Sequence, residues 1–140
     1  VHQLKQDFTE AHITLNGGVK DFSSINEQLQ SVDGVMVGRW FYHEPYALAQ
    51  ADAHVFGEPL KPLVARQLIL EQLVLYAEQQ IRQGVPLRAM TRHWLNLFHG
   101  VPGARRWRHQ LSDAKWLSQN DAQLLLENVP NDWMSEVENE

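Results

Sequence analysis

The sequence predicts an α/β segment followed by an all-α helical bundle, the α/β part being the last two βα units of a (β/α)8 barrel (a TIM barrel). Three observations carry this. Asn16-Gly17-Gly18 and Gly38-Arg39, 22 positions apart, each close an apolar run that reads as a strand, and each precedes a stretch able to start a helix. Glycine backbones and an arginine at the ends of two successive strands make a phosphate grip, which in such barrels sits on the loops after strands seven and eight. From Leu63 onward the apolar residues recur with a helical period. At 140 residues the chain is shorter than the roughly 250 of a complete barrel. The first six units are therefore expected to lie outside it, making it a piece of an enzyme.

The elements follow in order. His12 to Leu15 is short and rich in β-branched residues, a buried strand ending at Asn16. Gly17 and Gly18 allow a tight turn with the backbone close to a ligand. Asp21 or Ser23 caps a helix whose apolar stripe runs through Ile25, Leu29 and Val32. Gly34 to Gly38 is apolar throughout, as expected of a strand covered on both faces of a parallel sheet. A short helix is expected over Pro45 to Ala51, and Gly57-Glu58-Pro59 with Pro62 mark a connector.

Beyond it, four helices are expected. The first runs about twenty residues from Leu63, through Ile69 or Leu70, Leu73 and Ile81, and ends at Gly84. The second is Leu87 to His99, broken by Gly100-Val-Pro-Gly103, and the third is Ala104 to Leu111. The fourth is Leu117 to Val129 with Asn120 or Asp121 as its cap. This gives residues 1–58 as the barrel part, 59–130 as the helical part and 131–140 as an acidic tail expected to fray.

Composition excludes several chemistries. There is no cysteine, so disulfides, thiolate metal sites and a cysteine nucleophile or acid are absent from this stretch. The seven histidines (His2, His12, His43, His54, His93, His99 and His109) lack the spacing of a metal site, and no metal is expected. No apolar run reaches the length of a membrane span, and no leader resembling a signal peptide is present. A cytoplasmic protein is expected. The first residue is valine rather than methionine, which fits a processed chain or a fragment.

Net charge is −5, but its distribution matters more than its sum. Residues 82–115 hold seven basic side chains (Arg82, Arg88, Arg92, Arg105, Arg106, Arg108 and Lys115) against Asp113 alone, while residues 116–140 hold six acidic and no basic ones. Arg105, Arg106 and Arg108 fall on one short helix, and Arg88 and Arg92 stand one helical turn apart. Such a block is either a solvated face or an RNA-backbone contact, and the scarcity of acidic neighbours favours RNA. Asn-Gly-Gly alone is equally an ordinary turn. A second loop supplying more amides and a guanidinium shifts the reading to phosphate, carried by Asn16, Gly17, Gly18, Gly38 and Arg39. Trp94, Trp107 and Trp116 are read as packing residues, and His93 as a packed or surface-bonded side chain.

The run ITLNGG…VDGVMVGRWFYHEPYALAQAD resembles the C-terminal barrel strands of tRNA-dihydrouridine synthases of the DusA subfamily. These share an NGG motif and a DGVM(V/I)GR motif. MTRHWLNLFHGVPGARRWRHQLS is similar to that subfamily's helical-domain pattern ITRHMLGLFxGxPGARxWRRxLS, so the resemblance runs from about Ile13 to Ser112. It implies a flavoenzyme that reduces uridine at positions 20 and 20a of the tRNA D-loop. NADPH would reduce FMN, the flavin hydride would go to C6 of uracil, and a cysteine would protonate C5. By match, Asn16 to Gly18 with Gly38-Arg39 would hold the FMN phosphate, and Arg105 and Arg108 would orient tRNA.

That family's catalytic cysteine, flavin-side lysine and histidine, and six further strands have no counterpart in this chain. The chain by itself is therefore expected neither to bind FMN tightly nor to reduce uridine, and no catalytic residue is assigned. Strand edges without neighbours are expected to self-associate or to leave the N-terminal part disordered. The alternative reading is a non-catalytic helical RNA- or protein-interaction module.

Overall fold

A computed structural model describes residues 1–59 and 65–130. The chain divides into two compact units, Val1–Pro62 and Leu63–Glu140. Among the described residues it is mostly helical, with two parallel strands.

In the first unit, α1 (His2–Asp7) leads to β1 (Thr14–Asn16), α2 (Phe22–Leu29), β2 (Gly34–Met36), α3 (Arg39–His43), a 3-10 segment (Pro45–Gln50) and α4 (Ala51–Phe56). The strands pair in parallel, Thr14 opposite Gly34, Leu15 opposite Val35 and Asn16 opposite Met36. Parallel pairing joined by α2 is a βαβ unit, and it puts the C-terminal ends of both strands at one edge. Asp21 caps α2, its Oδ1 accepting from the Ser24 amide at 2.7 Å and from Ser24 Oγ at 2.6 Å. Ile25 and Val32 are buried beneath it.

Both strands are shorter than their apolar runs. β1 begins at Thr14 rather than His12 because the Ile13 amide donates to the Asp33 carboxylate at 2.8 Å, a side chain standing where a ladder partner would be. β2 stops at Met36 because Gly38 has already turned into the helical region (φ −100°, ψ −72°). Its double coverage is not observed: Val35 is half-buried and Met36 is 47 % exposed, since α2 covers only one side of a two-stranded sheet.

The opposite end of the strands is fastened by charge. Lys5 Nζ lies 2.8 Å from Asp33 Oδ2 and donates to the carbonyls of Thr9 and Ala11 at 2.9 Å, tying α1 to the sheet. The Ile13 amide first, and Lys5 second, hold the Asp33 carboxyl below the usual carboxylate range. A depressed folded value means that the stabilisation is complete above the ordinary aspartate value of about 3.9 and disappears as pH falls through the folded one. We expect Asp33→Asn to lower the urea midpoint of the chain at pH 7, with the gap from wild type closing toward pH 3. A gap constant across that range would exclude the ionic linkage.

The second unit is a helical core. α5 (Arg66–Arg82), α6 (Leu87–Thr91), α7 (Ala104–Gln110), α8 (Ala114–Leu117) and a 3-10 segment (Ala122–Leu126) surround Leu70, Val74, Ala77, Leu87, Met90, Leu97, Phe98, Trp107, Leu111 and Leu125. Leu63, the expected start of the first helix, lies outside the described residues, as does the tail over 131–140. α5 is followed by Gly84 at φ 88°, a left-handed backbone that glycine adopts without strain.

Two expected helices are cut short. The second ends at Thr91, and the chain to Gly100 proceeds by turns in which His93, Trp94, Leu97 and His99 donate three residues back. The Leu97 carbonyl accepts from Arg66 Nε at 3.1 Å. The fourth, expected over Leu117 to Val129, is present only as the 3-10 segment Ala122–Leu126; α8 ends at Leu117, and Asn120 at φ 55° stands between the two. Asn120 is a cap of α6 rather than of the helix that follows it, its Oδ1 accepting from the Leu87 amide at 2.7 Å. Asp121 does cap its own segment, accepting from the Gln123 amide at 2.9 Å. The carbonyls of Leu124 and Leu125 are taken by Gln110 Nε2 and Trp107 Nε1.

Candidate functional site

The five residues expected to grip phosphate stand around one cleft. Asn16, Gly17, Gly18, Gly38 and Arg39 line it together, and its volume is about 490 Å³. Parallel pairing of β1 and β2 is the cause: it delivers the loop after Asn16 and the turn at Gly38 to the same sheet edge. Gly17 (φ 112°) and Gly18 (φ 78°) both use the left-handed region, while a Cβ built on either would meet nothing within 4 Å. Glycine is needed there for backbone conformation and not for space. Val19, buried just beyond, anchors the loop.

Four further side chains line the cleft: Lys20, Trp40, His43 and Glu44. Lys20 and Arg39 give it two fixed positive charges, with Glu44 the one carboxylate in the wall. Lys20 was legible in the sequence as a cation two positions after the glycine turn, and His43 as the residue one helical turn beyond Arg39. Neither the Trp40 wall nor the Glu44 carboxylate had a signal of its own.

The basic block is divided by α7. Ala104, Trp107, Gln110 and Leu111 are buried; Arg105 and Arg106 are exposed and Arg108 is half-buried. At 3.6 residues per turn, Arg105 and Arg108 lie about 60° apart on the helix, and Arg106 about 100° farther round. Arg106 lines a separate groove of about 880 Å³ with Gln67, Glu71 and Asn128. Arg88 and Arg92 are exposed on α6 and its C-terminal cap, and Arg92 Nε lies 3.0 Å from His93 Nε2. Among the described residues, none of these five arginines is in an ion pair with a carboxylate.

The tryptophans separate as well. Trp107 is fully buried, Trp94 is half-buried against Tyr76, and Trp116 is 39 % exposed, so packing accounts for the first two and not for Trp116. No group of three or more His, Asp or Glu side chains close enough to hold a metal ion occurs among the described residues. Among them, no helix is long and apolar enough to cross a membrane.

Comparison with known proteins bears on both units. The family model described as Dihydrouridine synthase (Dus) matches residues 1–134. The tRNA-dihydrouridine(20/20a) synthase of Vibrio vulnificus (strain CMCP6) is 46% identical over 112 residues, 80% of this chain and 34% of that protein. The protein of the same name from Pseudomonas syringae pv. tomato is 47% identical over 112 residues (80% and 33%), and that of Yersinia pestis 45% over 113 (81% and 32%). The chain thus spans about a third of the length of the curated relatives it matches. A match from the first residue almost to the last, across the cleft and the arginine-bearing helices alike, places this chain in the dihydrouridine synthase family.

Proposed function

We propose that this chain supplies the phosphate grip and the tRNA-contacting helices of an FMN-dependent tRNA-dihydrouridine synthase, one that reduces uridine at positions 20 and 20a with NADPH as reductant. The observation that carries the reading is the single cleft shared by Asn16-Gly17-Gly18 and Gly38-Arg39. Its donor set fits a phosphate ester: two left-handed glycines put main chain in its wall, and Lys20 and Arg39 bring charge. FMN, when bound, supplies the hydride chemistry. Asn16, Gly17, Gly18, Gly38 and Arg39 would hold its phosphate end. Residues 1–58 are on this reading the last two βα units of the barrel, and 59–130 the tRNA-binding helical domain of a cytoplasmic enzyme.

With no cysteine in the sequence to serve as acid, the chain alone is expected to be inactive on uridine. The unpaired outer edges of β1 and β2, with exposed Val1, Leu4, Phe8 and Met36 nearby in sequence, support self-association of this unit.

The test is a transplant. A Vibrio vulnificus enzyme whose matching third is replaced by this chain should purify with flavin and form dihydrouridine in tRNA. A soluble chimera without flavin would leave the interaction-module reading in its place. For the RNA contact, Arg105 and Arg108 share one side of α7. Replacing both with alanine should flatten the salt dependence of tRNA binding to the chain by roughly 1.5 in log–log slope, one phosphate each. Arg106→Ala should change it less, because that side chain lines the groove with Glu71. An unchanged slope in the double variant would remove Arg105 and Arg108 from the contact set.

A further inference from the structure

The two halves of the cleft come from loops separated in sequence, and something besides the strands must set their spacing. Phe22, the first residue of α2, lies four positions after Gly18; Trp40 directly follows Arg39. Their rings meet edge to face, centroids 4.9 Å apart and planes at 78°, the arrangement the aromatic quadrupole favours. Phe22 is braced in turn. His54 of α4 stacks on it at 4.5 Å and 16°, the His54 carbonyl accepts from Asn26 Nδ2 at 3.0 Å, and Phe41 stacks on Trp40 at 4.7 Å. Trp40 lines the cleft, and Phe22 is not among the residues that do.

We infer that the Phe22–Trp40 contact is a positioning device: it ties the helix after the glycine loop to the helix bearing Arg39, and so fixes the width of the grip. The inference rests on the phosphate reading of the cleft. Each β-strand supplies only three residues, so the pairing alone is a short hinge about which the two loops would rock. A rigid edge-to-face pair beyond the strand ends removes that freedom before an anion arrives, which is where preorganisation gains affinity. Phe22 is thus a positioning residue for a ligand it does not touch.

The test uses the full chain, labelled with 15N, and inorganic phosphate followed through the amide shifts of Gly17 and Gly18. Wild type should show a saturable shift, Phe22→Leu a dissociation constant raised about tenfold, and Phe22→Tyr, which keeps the ring edge, a value near wild type. Trp40→Leu approaches the same contact from the other side and should give a similar loss, with Phe22→Leu/Trp40→Leu no weaker than either alone. Unchanged amide shifts at Ile25 and Val32 report an intact unit. If Arg39→Ala weakens the response but Phe22→Leu binds phosphate as wild type does, the positioning role is overturned and the grip stands. If wild type shows no shift at Gly17 and Gly18, the grip and the positioning role fall together.

Discussion

Trp107→Ala should cost the helical unit about 3–5 kcal/mol, the range for emptying a large aromatic site in a packed core. Trp107 is fully buried and meets Phe98 edge to face at 4.9 Å, and its Nε1–H donates to the Leu125 carbonyl at 3.1 Å. Truncation therefore opens a cavity at the centre of the unit and leaves a buried carbonyl without a partner, which adds about 1–3 kcal/mol in comparable cases. Domains of this size are stable by only about 5–15 kcal/mol, so the variant should be partly unfolded at 37 °C. Trp107→Phe keeps most of the ring and loses the hydrogen bond, and should fall between the two. Urea unfolding followed by far-UV circular dichroism measures all three. A loss below about 1 kcal/mol for Trp107→Ala would mean that the 3-10 segment does not depend on this residue.

Arg39→Ala should weaken FMN binding in the flavin-loaded chimera about tenfold and leave riboflavin, which lacks the phosphate, unaffected. Arg39 is exposed at the cleft, so water screens its charge and the effect should sit near the lower end of what a charge-assisted bond contributes. Tenfold corresponds to about 1.4 kcal/mol. Gly18→Ala probes the other half through conformation: at φ 78° an alanine is strained although there is room for its methyl group. Both affinities are read by fluorescence quenching of the flavin. Equal losses for FMN and riboflavin on Arg39→Ala would point to a general disturbance of the cleft rather than to a phosphate contact.

How far each part was legible depends on the range of the interactions that decide it. The Asp21 cap of α2, the break at Gly84 and the turn at Gly17-Gly18 are local chemistry, and all stand where the residues imply. The convergence of Asn16-Gly17-Gly18 and Gly38-Arg39 on one cleft was also legible, because a βαβ unit admits one parallel pairing that puts both loops at one edge. Lys20 and His43 were visible as residue types but not as neighbours of Arg39.

Helix length was another matter. Trp94, Leu97 and Phe98 continue the spacing of Leu87, Met90 and Thr91, and Leu124 and Leu125 continue a plausible stripe from Leu117, so periodicity extends both helices too far. In both stretches backbone carbonyls are held by side chains distant in sequence. Arg66 takes that of Leu97 from 31 positions away, and Trp107 and Gln110 take those of Leu125 and Leu124. Asn120 spends its side chain on the Leu87 amide. The amino-acid order alone determined the family, the glycine and arginine loops that line the cleft and the identity of the basic block, since each resides in adjacent residues. Only the folded chain decided where helices stop, which arginines share a face and which aromatic rings brace the cleft. Those outcomes depend on donors and rings that are distant in sequence and meet only after the core has formed.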